Sequence, residues 1–457
     1  HTHLSGTGIG DLFDVTVMPV TGDVTYARGE EADPASGLWS YADRTQEIAR
    51  PGYYSVPLTR YGIRAELTAT ARVGLHRYTF PASDAAAVVF DLENGGCWDK
   101  ATETHLAKEG DRTVTGWRHS TGWAKDQRVY FAAEFSKPFE KFETIGDNYA
   151  RASFRTTDGE QVSLKVALSP VSVEGAKANL AAELSGWDFE ETAAAADKAW
   201  NDELSKVKIE TADETARRIF YTALYHTMIA PSLFCDVNGD YYGSDHAIHR
   251  NAGFTNYTTF SLWDTYRAAM PLMTVLHPEK MADIVQTMLH ISDEQGRLPV
   301  WHLWGNETDC MVGNPGIVAV ADAIVKGIGG FDREKAFETI RKTAMNPDRG
   351  NGLRMEYGYI PCEMFNEAVA YDMEYALADG AAARAAETLG KAEDAKYFEE
   401  RSHSYRNYFD PQTGFMRGRD LKKGWRTPFN AFASTHRADD YCEGNAWQYT
   451  WLAPHAV

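Results

Sequence analysis

The hydrophobic period of this chain changes once, near Gly186, and that switch limits what the chain can fold into. Upstream, Ile63, Ala65, Leu67 and Ala69 alternate with Arg64, Glu66, Thr68 and Thr70, a period of two with one apolar face. Val162, Leu164, Val166 and Leu168 repeat it after the turn signal Asp158-Gly159. Val88-Val89-Phe90 and Val129-Tyr130-Phe131 read as further strands. Residues 1–185 are therefore predicted to form a large antiparallel β-sandwich. Downstream, Met281, Ile284, Val285, Met288 and Leu289 follow helical spacing. Thr211-x-x-Glu214 reads as a capping box opening a helix with Ile219, Phe220, Ala223 and Leu224 on its apolar side. The Ala-rich stretch 190–204 predicts a helical linker over 186–208. Helical stretches around 332–344, 365–389 and 392–409 alternate with long loops at 234–258 and 346–361. Consecutive helices with long loops predict an α/α toroid over 209–457, its loops forming the active face; a plain bundle has shorter connections. The count of about six to eight helices is too few to close a six-pair barrel, so the barrel is expected to be incomplete in this chain.

Three clusters in the helical region set acids among aromatics: Phe260-Ser261-Leu262-Trp263-Asp264-Thr265-Tyr266-Arg267, Trp301-His302-Leu303-Trp304-Gly305-Asn306-Glu307-Thr308-Asp309-Cys310, and Tyr441-Cys442-Glu443-Gly444-Asn445-Ala446-Trp447-Gln448-Tyr449-Thr450-Trp451. That composition suits a pyranose ring, whose C–H face packs on indole while carboxylates bind hydroxyls or move protons. The formal net charge of −19 argues against nucleic acid and anionic membranes, which need clustered Lys and Arg. No apolar run approaches bilayer-spanning length. Cys97, Cys235, Cys310, Cys362 and Cys442 are scattered without zinc spacing and read as mostly reduced, buried thiols. H-E-x-x-H, G-x-S-x-G and the P-loop are missing, and Gly6-Thr7-Gly8-Ile9-Gly10 reads as a turn. The opening His1-Thr2-His3 has no start Met, which suggests a mature, processed or partial polypeptide and says little about export.

Longer motifs carry a resemblance. His1-Thr2-His3-Leu4-Ser5-Gly6-Thr7-Gly8, Pro51-Gly52-Tyr53-Tyr54-Ser55-Val56, Gly253-Phe254-Thr255-Asn256-Tyr257-Thr258, the Ser261–Arg267 stretch, Gly305-Asn306-Glu307-Thr308-Asp309-Cys310-Met311 and Glu443-Gly444-Asn445-Ala446-Trp447-Gln448-Tyr449 are similar to the calcium-dependent exo-α-mannosidases of glycoside hydrolase family 92. The resemblance runs from the first residue to the last. It implies an N-terminal β-sandwich, a helical linker and an (α/α)6 barrel, with the site where the two domains meet. It also implies removal of terminal α-linked mannose, expected to be α-1,2-linked, from N-glycans or mannans, with inversion. A periplasmic, cell-surface or secreted bacterial location goes with it. Family members carry further segments, Gly-Asn-Glu-Pro-Ser-His-His-like and acidic Cys-Gly-Gln-Met-Ser-like, which supply the Ca2+ ligands and the catalytic base. Here the sequence stops at Trp451-Leu452-Ala453-Pro454-His455-Ala456-Val457, so no metal ligand is assigned within it and the chain is expected to hold half of an inverting machine.

The resemblance places the general acid at Glu443. Chemistry agrees, since Trp447, Tyr449 and Trp451 would desolvate that carboxyl and raise its pKa. Glu307 is the rival for this role and is expected to bind sugar hydroxyls instead. Asp264 beside Trp263 would hold hydroxyls of the terminal mannose, with Arg267 one turn on as its ion-pair partner. His3 lies in a Gly-rich loop that could reach the barrel mouth. Trp301, His302 and Trp304 read equally as platforms or core, Trp301 being counted with the substrate-binding set. Cys310 and Cys442 lack the His or Lys partner of a nucleophilic thiol and read as packing residues, Cys310 being counted with the substrate-binding set, as is His3. Asn256-Tyr257-Thr258 and Asn306-Glu307-Thr308 match glycosylation acceptors by chance. Two other readings are a non-catalytic carbohydrate-binding homologue and an inverting disaccharide phosphorylase, which needs paired basic groups for phosphate.

Overall fold

A computed structural model describes residues 1–2, 4, 12–95 and 99–456, which form two compact units. The first comprises His1–Tyr242, Ala247–Gly253 and Trp304–Asn306. The strands of its two large sheets are β1 (Thr16–Thr21), β2 (Ile48–Arg50), β3 (Tyr53–Leu58), β4 (Ile63–Ala69), β5 (Val73–Phe80), β6 (Ser83–Asp91), β7 (Lys100–Glu109), β8 (Thr113–Thr121), β9 (Gln127–Phe135), β10 (Lys141–Ile145), β11 (Tyr149–Thr156) and β12 (Glu160–Ser169). One sheet runs β1-β6-β11-β10 and the other β2-β3-β4-β5-β12-β9-β8-β7. The core lies between them. Val88 and Phe90 of β6, Phe131 and Phe135 of β9 and Leu164 of β12 are fully buried, and Phe90 stacks on Phe131 at 5.9 Å. Burying such a side chain contributes about 1.5–3 kcal/mol, which is why the alternation of apolar residues fixes the register.

The polar face of β4 departs from the simple alternation. Glu66 and Thr68 are buried rather than solvated. The reason lies in helix α2 (Phe189–Leu204), which covers that face of the sheet. Arg77 donates to Glu66 at 2.8 Å and to Glu190 at 2.5 Å while lying over the Phe189 ring. Gly52 (φ +78°) is required there: a Cβ would sit 2.8 Å from that of Ala196. Helix α1 (Val173–Glu183) packs on β9 and β12. Asp213, not Thr211, caps α3 (Glu214–His226), accepting from the Thr215 and Ala216 amides. The expected capping box is therefore replaced by a cap two residues later. Only Leu224 of the expected apolar side is buried, and Ile219 is 64% exposed.

The second unit, Gly243–His246, Phe254–Leu303 and Glu307–Val457, is helical. It contains α4 (Leu262–Thr265), α5 (Ala269–Leu276), α6 (Pro278–Gln295), α7 (Pro315–Val325), α8 (Arg333–Ala344), α9 (Asn351–Tyr357), α10 (Ala368–Thr388), α11 (Ala392–Arg401) and α12 (Ala446–Tyr449). The fold is thus an antiparallel β domain followed by a helical domain, as the period switch predicts. Helix α10 is rich in alanine and buried over most of its length, packing against α7, α8 and α11. Its alanines let Val320, Ile324, Phe337, Ile340 and Phe398 approach closely. Helix α9 occupies part of the stretch 346–361 expected as loop. It is short, bracketed by Gly350 and Gly358 in the left-handed region, and anchored by a buried arginine instead of an apolar stripe.

Candidate active site

Within the helical unit, Trp263, Arg267, Glu374, Cys442, Glu443, Gly444, Gln448, Tyr449 and Leu452 line a cavity of about 180 Å³. Two of the three acid–aromatic clusters meet here. The first contributes through the short helix α4 and the turn after it. The third contributes the loop leading into α12.

That loop is fastened at both ends. Asn445 caps α12 in a reciprocal capping box: the Gln448 amide N–H donates to the Asn445 side chain, and the Gln448 side chain accepts from the Asn445 N–H at 3.0 Å. Tyr449 donates its hydroxyl to the Cys442 carbonyl at 2.8 Å, and Tyr441 donates to the Met416 carbonyl at 2.7 Å. Glu443 stands between these ties with φ +46°, a conformation rare for a residue with a side chain. Asp309 (φ +51°), Met311 (φ +75°) and Glu367 (φ +56°) share the left-handed region. The Cys442 thiol lies 3.9 Å from the Met311 sulfur and donates to Glu367, so three of these strained positions surround one sulfur cluster. Left-handed backbone at non-glycine residues costs free energy and gathers where a site must be held in one shape.

Several expectations change on inspection of the geometry. Glu443 is solvent-exposed rather than desolvated, because Trp447 and Trp451 are themselves 46% and 78% exposed and only Tyr449 lines the cavity. Trp447 instead packs on Phe415 at 4.9 Å. Arg267 does not pair with Asp264. It donates to Glu374 at 2.8 Å, while the exposed Asp264 accepts from the Ser261 hydroxyl. One turn along a distorted helical segment points Arg267 towards the buried acid of α10, not back along its own backbone. Trp301 is only 3% exposed, and its strand pairs with Phe260–Ser261, so it is core rather than a platform. His302 is also core: burial lowers its pKa to about 3, leaving a neutral ring bonded to the Ser244 hydroxyl at 2.9 Å. Trp304 packs on Phe234 in the first unit. Glu307 accepts from the Val300, Trp301 and Asp309 backbone N–H groups at 2.8, 2.9 and 3.0 Å, which spends most of its lone pairs on holding the loop. Cys310 is half-buried, and burial pushes its thiol up. Cys442 is pushed up in the same way, so neither is a ready nucleophile. Among the described residues the thiols of Cys235, Cys310, Cys362 and Cys442 are free. His3 and the Gly6–Gly10 turn lie outside the described residues, as does Cys97.

Glu374 escaped the reading of the sequence. It sits on α10 amid alanines and is 3% exposed. Burial raises its pKa, opposed by Arg267, Tyr266 and Trp263. The one sequence signal was chemical: Asp372, Glu374 and Asp379 within an alanine-rich helical stretch must each have a partner if that stretch is buried. A calcium ion takes six to eight oxygen ligands. The acids of this cavity do not fit such a cage, since Glu374 already accepts from three donors, a guanidinium among them, and Glu443 is a single carboxylate.

The chain matches the glycosyl hydrolase family 92 N-terminal domain over residues 1–169 and the glycosyl hydrolase family 92 catalytic domain over residues 175–457. A family 92 α-mannosidase from Bacteroides thetaiotaomicron, solved with mannoimidazole, is 39% identical with a TM-score of 0.95, over 99% of this chain and 63% of that one. An inverting mannosidase of the same family from Bacteroides thetaiotaomicron VPI-5482 is 29% identical with a TM-score of 0.86, over 96% and 61%. A protein from Arthroderma benhamiae described as an uncharacterized secreted glycosidase is 25% identical over 532 residues, covering 100% of this chain and 64% of its own length. The chain thus spans less than two thirds of the relatives it matches. Among the described residues no helix is long and apolar enough to cross a membrane.

Proposed function

Because this chain belongs to glycosyl hydrolase family 92, we propose that it forms the acid-supplying part of an exo-acting α-mannosidase. Its substrate is a mannose-containing oligosaccharide, an N-glycan or mannan, from which it removes terminal α-1,2-linked mannose with inversion. The observation that carries this reading is Glu443, a carboxyl with no ion pair among the described residues, on a loop tied down at both ends and lining a cavity walled by Trp263. In the proposed reaction the Trp263 indole packs on the sugar C–H face and Arg267 donates to hydroxyls. Glu443 gives its proton to the leaving glycosidic oxygen, and Asp264 holds hydroxyls of the terminal mannose. Inversion also needs a carboxylate that activates water from the opposite face, with the two acids about 6.5–9.5 Å apart. Glu374 is unsuited to that task, because all its donors are already in place.

Calcium would supply positive charge for two vicinal mannose hydroxyls, held by residues other than those lining this cavity. A periplasmic, cell-surface or secreted location fits a glycan substrate, and the secreted Arthroderma relative supports export. A phosphorylase reading is disfavoured: Arg267 is the cation lining the cavity among the described residues, and Glu374 already pairs with it. The single free carboxylate of the cavity keeps a carbohydrate-binding reading alive. Proton NMR of α-1,2-mannobiose hydrolysis by the whole enzyme, before and after EDTA, separates the two. Release of β-mannose first, lost in EDTA and restored by calcium, supports the mannosidase; mannose binding without hydrolysis supports the binding protein.

A further inference from the structure

We propose that Glu374 is a positioning residue that sets the Trp263 indole and the Arg267 guanidinium as one rigid wall of the sugar pocket. The inference rests on the glycosidase reading above. Glu374 Oε1 accepts from Trp263 Nε1 at 2.9 Å and from Arg267 at 2.8 Å, while Oε2 accepts from the Tyr266 hydroxyl at 2.8 Å. One carboxylate thus gathers three donors from five consecutive residues, and both Trp263 and Arg267 face the cavity.

Each bond restricts a different motion. An indole has one donor, so a fixed acceptor at Nε1 removes the freedom to swing the ring about its Cβ–Cγ bond. Arg267 spends one terminal nitrogen on Glu374 and stacks over the Trp263 and Tyr266 rings at 5.2 and 4.7 Å. Its guanidinium plane is thereby set, with further N–H groups left to meet hydroxyls. Glu374 cannot retreat, because Gly313 (φ +78°) lies so close behind it that a Cβ there would fall 2.4 Å from its own. The Arg267 charge offsets that of Glu374, which leaves Glu443 as the cavity carboxylate without an ion pair among the described residues. A buried ion pair serving packing alone has no need to engage the side chains that line the pocket.

The test uses the whole enzyme with Glu374→Gln and Glu374→Ala. The amide of Glu374→Gln keeps the volume and one accepting oxygen, whereas Glu374→Ala frees both wall residues. Losing hydrogen bonds to a charged acceptor is worth roughly tenfold or more in binding. We expect KM for α-1,2-mannobiose to rise at least tenfold in Glu374→Ala and by a smaller factor, still threefold or more, in Glu374→Gln, with kcat changed far less. KM within threefold of wild type in Glu374→Gln, with only a lower melting temperature, overturns the proposal even if Glu374→Ala does not fold. The indole N–H resonance of Trp263, identified by its loss in Trp263→Phe, gives a readout free of turnover. It should be protected from exchange in wild type and exchange faster in Glu374→Gln, whose remaining neutral oxygen is the weaker acceptor; equal protection in both overturns the proposal. A wild-type enzyme that cleaves no mannoside yet shows this difference would sink the glycosidase reading alone.

Discussion

Arg354 offers a sharp stability prediction. It is buried in the helical unit, donating from Nε to Asp372 at 2.8 Å, from one terminal nitrogen to Asp379 at 2.6 Å, and from the other to the Arg401 carbonyl at 2.9 Å. The cluster ties α9 to α10 and α11. Arg354→Met keeps most of the side-chain volume and strands two carboxylates. Asp379 retains Arg401 at 3.1 Å, so the loss there is partial. Asp372 keeps neutral donors, Tyr408 at 2.9 Å and the Ile360 amide at 3.0 Å, and loses its only cation among the described residues. Breaking a buried pair from one side typically costs about 3–5 kcal/mol. The stranded acid can instead take up a proton. For an ordinary Asp this costs about 4 kcal/mol at pH 7 and about 1.5 kcal/mol at pH 5. Protonation therefore caps the penalty, and the cap falls with pH. We predict a destabilisation of about 3–4 kcal/mol at pH 7 that shrinks by roughly half or more at pH 5. Urea melts of wild type and variant at both pH values measure it. A loss under about 1 kcal/mol at pH 7, or the same loss at both pH values, would refute the electrostatic reasoning.

Two further predictions concern other residues. Asp264 is exposed, so Asp264→Ala should leave stability within about 0.5 kcal/mol while lowering kcat/KM; unchanged kinetics with a lower melting temperature would make it structural. His302 is held neutral with its pKa lowered to about 3, against 6.5 in an unfolded chain. The unfolded state binds the extra proton below pH 6.5, so the His302 contribution is intact above that value and is lost as pH falls towards 3, by about 1 kcal/mol per pH unit. His302→Phe should flatten the pH dependence of stability between pH 6.5 and 4, and parallel profiles would contradict this.

How much of this was legible in the sequence depends on whether a residue's partner is local. The strand patterns of β4 and β12 were readable because one face of each enters the core between the sheets. The burial of Glu66 and Thr68 was not, since it depends on α2 folding back over β4. Helices α6 and α8 announce themselves by helical spacing around 281–289 and 332–344, whereas α9 is too short for any period and is held by the Arg354 cluster. The acid–aromatic clusters located the cavity through Trp263 and Glu443. Composition could not say which aromatics would line it: Trp301 went to the core and Trp447 to Phe415. The Arg267–Glu374 pair spans more than a hundred positions, and an adjacent Asp264 made the wrong partner look natural.

The central claim is that Glu443 protonates the departing oxygen. The most direct test compares Glu443→Gln with wild type in the whole enzyme on two substrates, α-1,2-mannobiose and a 2,4-dinitrophenyl α-mannoside. The first has a leaving group that needs a proton, while the second leaves readily without one. General acid catalysis is worth about 10²–10⁴-fold. The account predicts a loss of that size on mannobiose and a much smaller one on the aryl mannoside, with mannose binding retained. Equal losses on both substrates, or near-normal cleavage of mannobiose by Glu443→Gln, would contradict it.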